Sequence, residues 1–139
     1  MAKRILIVDD DADDRNFMTL ALGSILDSYD FTCANNGQEA IGFLKTGIAY
    51  DLIFLDLNMP LMDGYETLEA IKKNLIYKNV PVIVISNSKS KFDIDRCKRL
   101  GASDYIIKPD NFLSLIGSLK DILVKFSILL VGHSAQLHR

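Results

Sequence analysis

The chain has 139 residues, 16 Lys plus Arg against 18 Asp plus Glu, 49% hydrophobic and 24% charged residues. Those values fit one ordinary globular domain and exclude a disordered tract or two domains of normal size. A formal net charge of −2 argues against a strongly basic nucleic-acid binder.

Two cysteines, Cys33 and Cys97, are too few for a disulfide framework. They are expected to be small buried residues in a reducing compartment. The basic start Met1-Ala2-Lys3-Arg4 is followed by only Ile5 to Val8 before acid arrives, too short for a signal-peptide core. The longest apolar stretch, Ile122 to Val131, is interrupted by Lys125 and Ser127 and falls well short of the roughly 20 residues a spanning helix needs. A soluble cytoplasmic chain is expected.

In chain order, short apolar runs alternate with amphipathic segments. The first run is Ile5-Leu6-Ile7-Val8. A helix follows, with Asp11, Asp13 and Asp14 at its start and a stripe of Phe17, Leu20, Ala21 and Ser24; acid in a first turn suits the helix dipole. Phe31 to Ala34 is a weaker strand, and Asn36-Gly37-Gln38-Glu39 opens a second helix that Gly47 ends. The run Leu52 to Leu55 precedes a third helix over Gly64 to Tyr77, with Tyr65, Leu68, Ile71 and Leu75 at helical spacing. Val80 to Ile85 precedes a fourth helix marked by Ile94, Cys97 and Leu100. Tyr105-Ile106-Ile107 precedes a fifth over Asn111 to Phe126. Three of the runs are continuous, as strands covered on both faces are. Strict alternation predicts an α/β fold with a parallel sheet, and ligands in such sheets bind beyond the carboxyl ends of the strands.

At those ends stand Asp9-Asp10-Asp11, Asp56, Ser86 and Lys108-Pro109. Carboxylates converging from separate strands call for a shared cation, and hard oxygen donors suit Mg²⁺. A hydroxyl and an ammonium beside them complete a cradle for a phosphoryl group. Most of these residues taken alone have a plainer reading: a solvated helix start for the acids after the first run, an N-cap for Ser86, a turn for Lys108-Pro109. Asp56 differs, because after the continuous apolar run Leu52 to Leu55 a structural Asp has little to do. The conjunction of four strand ends favours the site.

These segments, Ile5 to Asp10, Asp51 to Pro60 with Asp63-Gly64, Pro81 to Ser86 and Gly101 to Pro109, resemble the receiver domain of two-component response regulators over about residues 3 to 126. The resemblance implies a flavodoxin-like doubly wound five-stranded sheet of order 2-1-3-4-5 with five helices, the strand order of the chemotaxis receiver. It implies that Asp56 is the phosphoacceptor, taking a phosphoryl group from a histidine kinase or phosphotransfer protein. Asp10 would ligate Mg²⁺ directly and Asp9 through water, alongside Asp56 and the backbone carbonyl of Asn58. Lys108 and Ser86 would hold phosphoryl oxygens, and Pro109 would present Lys108 through a cis bond. Ser86 and Tyr105 would form the switch, Tyr105 turning inward, although a partly buried strand aromatic is the plainer reading. The chain would be a phosphoacceptor rather than an enzyme acting on others.

Two departures from the family pattern stand out: Asn87 after Ser86, and Asp110-Asn111-Phe112 after Pro109. Other readings are a flavin-binding electron carrier, an Asp-nucleophile phosphatase, and a degenerate receiver acting only as a binding module. The acidic first loop opposes the flavin reading, and Asn58, where the phosphatase motif wants a second Asp, opposes that one. No site residue is missing for a working receiver.

Lys89, Lys91, Arg96, Lys98 and Arg99 outnumber Asp93 and Asp95, so the fourth helix is expected to meet an acidic partner or to be a solvated face. The sequence stops 13 residues after Phe126, so a stand-alone receiver is expected, with residues 127–139 extending the last helix or forming a tail. Output would then be contact with a downstream protein rather than DNA. A homodimer through the fourth helix, fifth strand and fifth helix, or through the extension, is a further expectation. The apolar Ile128 to Val131 should pack on the domain or on a second copy.

Overall fold

The structure is a computed structural model that describes residues 2–129. Five parallel strands, β1 (Lys3–Val8), β2 (Tyr29–Ala34), β3 (Leu52–Asp56), β4 (Val82–Ser86) and β5 (Asp104–Ile107), pair in the order β2-β1-β3-β4-β5. Between and after them run α1 (Ala12–Ile25), α2 (Gly37–Lys45), α3 (Gly64–Lys73), α4 (Lys91–Arg99) and α5 (Phe112–Lys125).

The continuous apolar runs are explained by two cores. Ile5, Ile7, Leu52, Phe54, Ile83 and Ile85 face α1 and α5, while Leu6, Val8, Ile53, Leu55, Val82 and Val84 face the other side. Successive strand side chains point to opposite faces, so a strand covered twice needs apolar residues at every position. Each such Ile or Leu contributes roughly 1.5–3 kcal/mol on burial.

The caps explain where the helices start. Asp11 accepts the amides of Asp13 and Asp14 at 2.8 and 3.1 Å, and Asn36 accepts that of Glu39 at 2.8 Å. Asp63 and Glu66 form a capping box on α3. Asn111 accepts the amide of Ser114 at 2.9 Å, so one of the residues that depart from the family pattern after Pro109 serves as the cap of α5.

Several boundaries differ from the sequence reading. β2 begins at Tyr29, pairing with Lys3. α3 stops at Lys73, leaving Leu75 82% exposed, while Tyr77 is fully buried with its hydroxyl donating to the Ile48 carbonyl at 2.7 Å. In α1 the buried stripe is Met18, Ala21 and Leu22, and Phe17 and Leu20 are exposed. Apolar residues occupy both adjacent stripes of this helix, and packing against the sheet selects one. Cys97 is buried, whereas Cys33 is only half-buried.

After α5 the chain reverses at Ser127, whose φ is +61°, and the amides of Ile128 and Leu129 donate to the Leu123 carbonyl. Ile128 and Leu129 pack against the α1–α5 core. The helix does not run on through 127–129, and the remainder of the extension, including Leu130 and Val131, lies outside the described residues. Among the described residues no helix is long and apolar enough to cross a membrane.

Candidate functional site

The sheet order reverses around β1, which has β2 on one side and β3 on the other. Connections leave in opposite directions there and open a crevice at the carboxyl ends. Val8 lies opposite Leu55, so Asp9 and Asp56 emerge side by side. Both are nearly buried, at 5% and 6% exposure. Asp10 is exposed, and carboxylate oxygens of Asp9, Asp10 and Asp56 lie within 4.8 Å of one another.

Lys108 reaches this cluster from the end of β5. Its amide donates to the Ser86 carbonyl at 2.7 Å, which continues the β4–β5 ladder and aims the side chain into the crevice. The ammonium stands 2.7 Å from Asp14, 3.4 Å from Asp9 and 3.7 Å from Asp56. Asp14 is the site residue that sequence reading passed over as one more first-turn acid. The signal was there: one acid suffices to cap α1, and the helix begins directly beside the strand end.

Local backbone groups orient the carboxylates. Asp9 accepts the amide of Asp11 at 2.9 Å, and its carbonyl accepts Arg15 at 2.7 Å. Asp56 accepts the amide of Asn58 at 3.4 Å. Burial pushes the Asp56 carboxyl up to about 6, the charge of Asp9 adds to the shift, and Lys108 opposes it. Burial also raises Asp9, against the pull of the Asp11 amide and Lys108. For Lys108 burial disfavours the charge, yet the hydrogen bond to Asp14 and the charges of Asp56 and Asp9 raise its pKa overall.

One ammonium among Asp9, Asp10, Asp14 and Asp56 leaves the crevice short of positive charge. Among the described residues the grouped donors to a metal, Asp9, Asp10 and Asp56, are all hard carboxylate oxygens, a set that fits Mg²⁺ rather than Zn²⁺.

Ser86 is fully buried at the end of β4, with its Oγ accepting the amide of Ser88 at 3.1 Å. Tyr105 is half-buried, and its hydroxyl donates to the Ser88 carbonyl at 2.8 Å. It therefore touches the loop after Ser86. Asn87 is exposed. The Lys108–Pro109 bond corrects one expectation: it is trans, the isomer intrinsically preferred by roughly 0.5–1 kcal/mol, and Lys108 reaches its carboxylates in that form.

Gly64 holds the loop after Asp56 in place. A Cβ there would sit 2.5 Å from the Asp56 carbonyl oxygen and closer still to Leu57 Cα. Gly64→Ala is therefore expected to cost about 1–3 kcal/mol through overpacking, measurable by urea unfolding.

The sequence model described as the response regulator receiver domain matches residues 5–120. The chain belongs to this family. Two-component response regulator ORR1 of Oryza sativa subsp. japonica is 38% identical over 113 residues, covering 76% of this chain and 49% of that protein. Two bacterial relatives, the transcriptional regulatory protein PcoR of Escherichia coli and the CpxR homolog of Haemophilus influenzae, are likewise longer, and the match spans 51% and 50% of their length.

Among solved structures, the phosphorylated cyanobacterial phytochrome response regulator RcpA superposes with a TM-score of 0.83 at 31% identity, covering 91% of this chain and 94% of that one. The receiver domain of a sensor histidine kinase from Pseudomonas aeruginosa PAO1 gives a TM-score of 0.77 at 25% identity, covering 91% and 98%, and holds a magnesium ion in its active-site cleft. The flavodoxin-like fold expected from the sequence is the receiver fold found here.

Proposed function

We propose that this receiver takes a phosphoryl group onto Asp56 and passes the signal on through protein contacts. The observation that carries the reading is a nearly buried carboxylate at the end of β3, flanked by Asp9 and with Lys108 Nζ 3.7 Å away. With a pKa of about 6, Asp56 is mostly ionised at neutral pH and able to attack. The donor is a phosphohistidine on a histidine kinase or phosphotransfer protein. An Asp56 carboxylate oxygen forms the new P–O bond, the P–N bond breaks, and its electron pair leaves with the imidazole, which takes up a proton.

Asp9, Asp10, Asp56 and the backbone carbonyl of Asn58 would hold Mg²⁺, with Asp9 acting through water. When bound, the ion supplies positive charge against the carboxylates and the phosphoryl oxygens. Lys108 exchanges part of its contact with Asp14 for a phosphoryl oxygen, and Ser86 donates to another. Ser86 and Tyr105 then bias the arrangement of α4, β5 and α5, the output face. On this reading the chain works in the cytoplasm and is a phosphoacceptor rather than an enzyme acting on others. The exposed cations of α4 suit an acidic target protein.

Labelled phosphotransfer protein mixed with this chain and Mg²⁺ tests the proposal. The expected result is movement of the label onto the chain in a form lost in alkali, as an acyl phosphate is, and none with a chelator present. Label that stays on the donor, or moves equally without Mg²⁺, contradicts it.

A further inference from the structure

Outside the acidic crevice, an unusual set of hydrogen bonds converges on Ser88 in the loop between β4 and α4. Its amide donates to Ser86 Oγ at 3.1 Å, its carbonyl accepts Tyr105 at 2.8 Å, and its Oγ accepts the Ser90 amide at 3.2 Å while donating to Asp93. The other oxygen of the Asp93 carboxylate accepts the hydroxyl of Tyr65 on α3, and Arg96 stacks 3.8 Å over the centre of that ring.

The sequence Ser90-x-x-Asp93 is the usual signature of a capping box. Here the Ser90 side chain makes no cap bond, and Asp93 accepts from Ser88 and Tyr65 instead. A carboxylate that could have closed its own helix start is spent on fixing a loop.

We infer that Asp93, anchored by Tyr65, is a positioning residue for the phosphoryl site, acting through Ser88 on Ser86. A hydroxyl has one hydrogen to give and two lone pairs to fill. The Ser88 amide fills one lone pair of Ser86 Oγ and so directs the hydroxyl hydrogen, the group assigned above to a phosphoryl oxygen. Without Asp93 the loop loses its tie to α3, and both Ser86 and Tyr105 lose the fixed partner that holds them. The inference rests on the proposed role of Ser86.

Two mild substitutions and one rescue test it. Asp93→Asn keeps one acceptor oxygen of two, and Tyr65→Phe removes only the phenol hydroxyl. Each is expected to slow phosphoryl uptake from acetyl phosphate at saturating Mg²⁺ by about fivefold, the scale of one intramolecular hydrogen bond. Mg²⁺ affinity by calorimetry should be unchanged, and the Ser88 amide resonance should move. Ser88→Thr should retain the wild-type rate while Ser88→Ala matches Asp93→Asn. Wild-type rates in both mild variants overturn the inference. So does a rate loss matched by an equal loss of Mg²⁺ affinity, which marks a loosened crevice. If the wild type itself takes up no phosphoryl group, the proposed function fails instead. The Ser88 resonance then still decides: unmoved in Asp93→Asn, the positioning network is refuted; moved, it stands.

Discussion

Asp56→Asn is expected to take up no phosphoryl group and, at neutral pH without Mg²⁺, to unfold at a higher temperature than the wild type. The first half follows from removing the nucleophile: the amide lacks the carboxylate charge. The second follows from burial. A carboxyl moved from 3.8 to about 6 in the folded chain disfavours the ionised fold by ~3 kcal/mol. The sign is that of an acid raised on folding. Below 3.8 the group is protonated in both states and carries no penalty; the penalty grows as pH rises and is complete above about 6.

Asn has nearly the same shape and cannot ionise. The variant should therefore match the wild type in acid and exceed it at neutral pH, by about 10 °C for a domain of this size. Calorimetric scans across that pH range check it. A variant less stable than the wild type at every pH would show that the crevice does not strain Asp56.

Lys108→Met should move stability the other way. The Lys108 side chain is only 16% exposed and its ammonium faces Asp14, Asp9 and Asp56. Removing the cation from a largely buried cluster leaves uncompensated carboxylates, which costs ~2–4 kcal/mol once the partly exposed Asp14 is discounted. The loss should be largest at neutral pH and shrink in acid, because protonated carboxylates need no partner. Saturating Mg²⁺ should recover more stability in the variant than in the wild type, since the ion replaces part of the missing charge. Urea titrations with and without Mg²⁺ measure both effects. Phosphoryl uptake should fall roughly 10²–10³-fold, the loss seen when a fixed donor to developing charge is removed. The two variants thus share a chemical defect and differ in the sign of their stability change, which general misfolding cannot produce.

Much of this was legible in the sequence because the rules involved are local. A strand covered on both faces must be apolar throughout, so Leu52 to Leu55 announced β3 and made Asp56 conspicuous. The sheet order came through resemblance, as periodicity does not encode which strands pair. Asp14 was hidden because its partner, Lys108, lies 94 residues away in the chain. Its type and position also suited a helix start equally well. The stripe of α1 was misread for a related reason: with apolar residues on two adjacent faces, only contact with the sheet decides which is buried. Tyr77 is the same kind of case. The helix pattern carried past Lys73 onto Leu75, whereas a turn placed Tyr77 in the core and bonded it to Ile48. The Ser88–Asp93–Tyr65 network joins two helices and a loop, and a capping-box signature pointed the other way.

Asp56 is the residue proposed to accept the phosphoryl group. Intact-mass spectrometry of the wild-type chain after incubation with acetyl phosphate and Mg²⁺, followed by peptide mapping of the reduced or trapped acyl group, tests it directly. One added phosphoryl group is expected, placed on Asp56 and absent with a chelator. An unchanged mass, or a phosphoryl group mapped to Asp9, Asp10 or a serine, would contradict it.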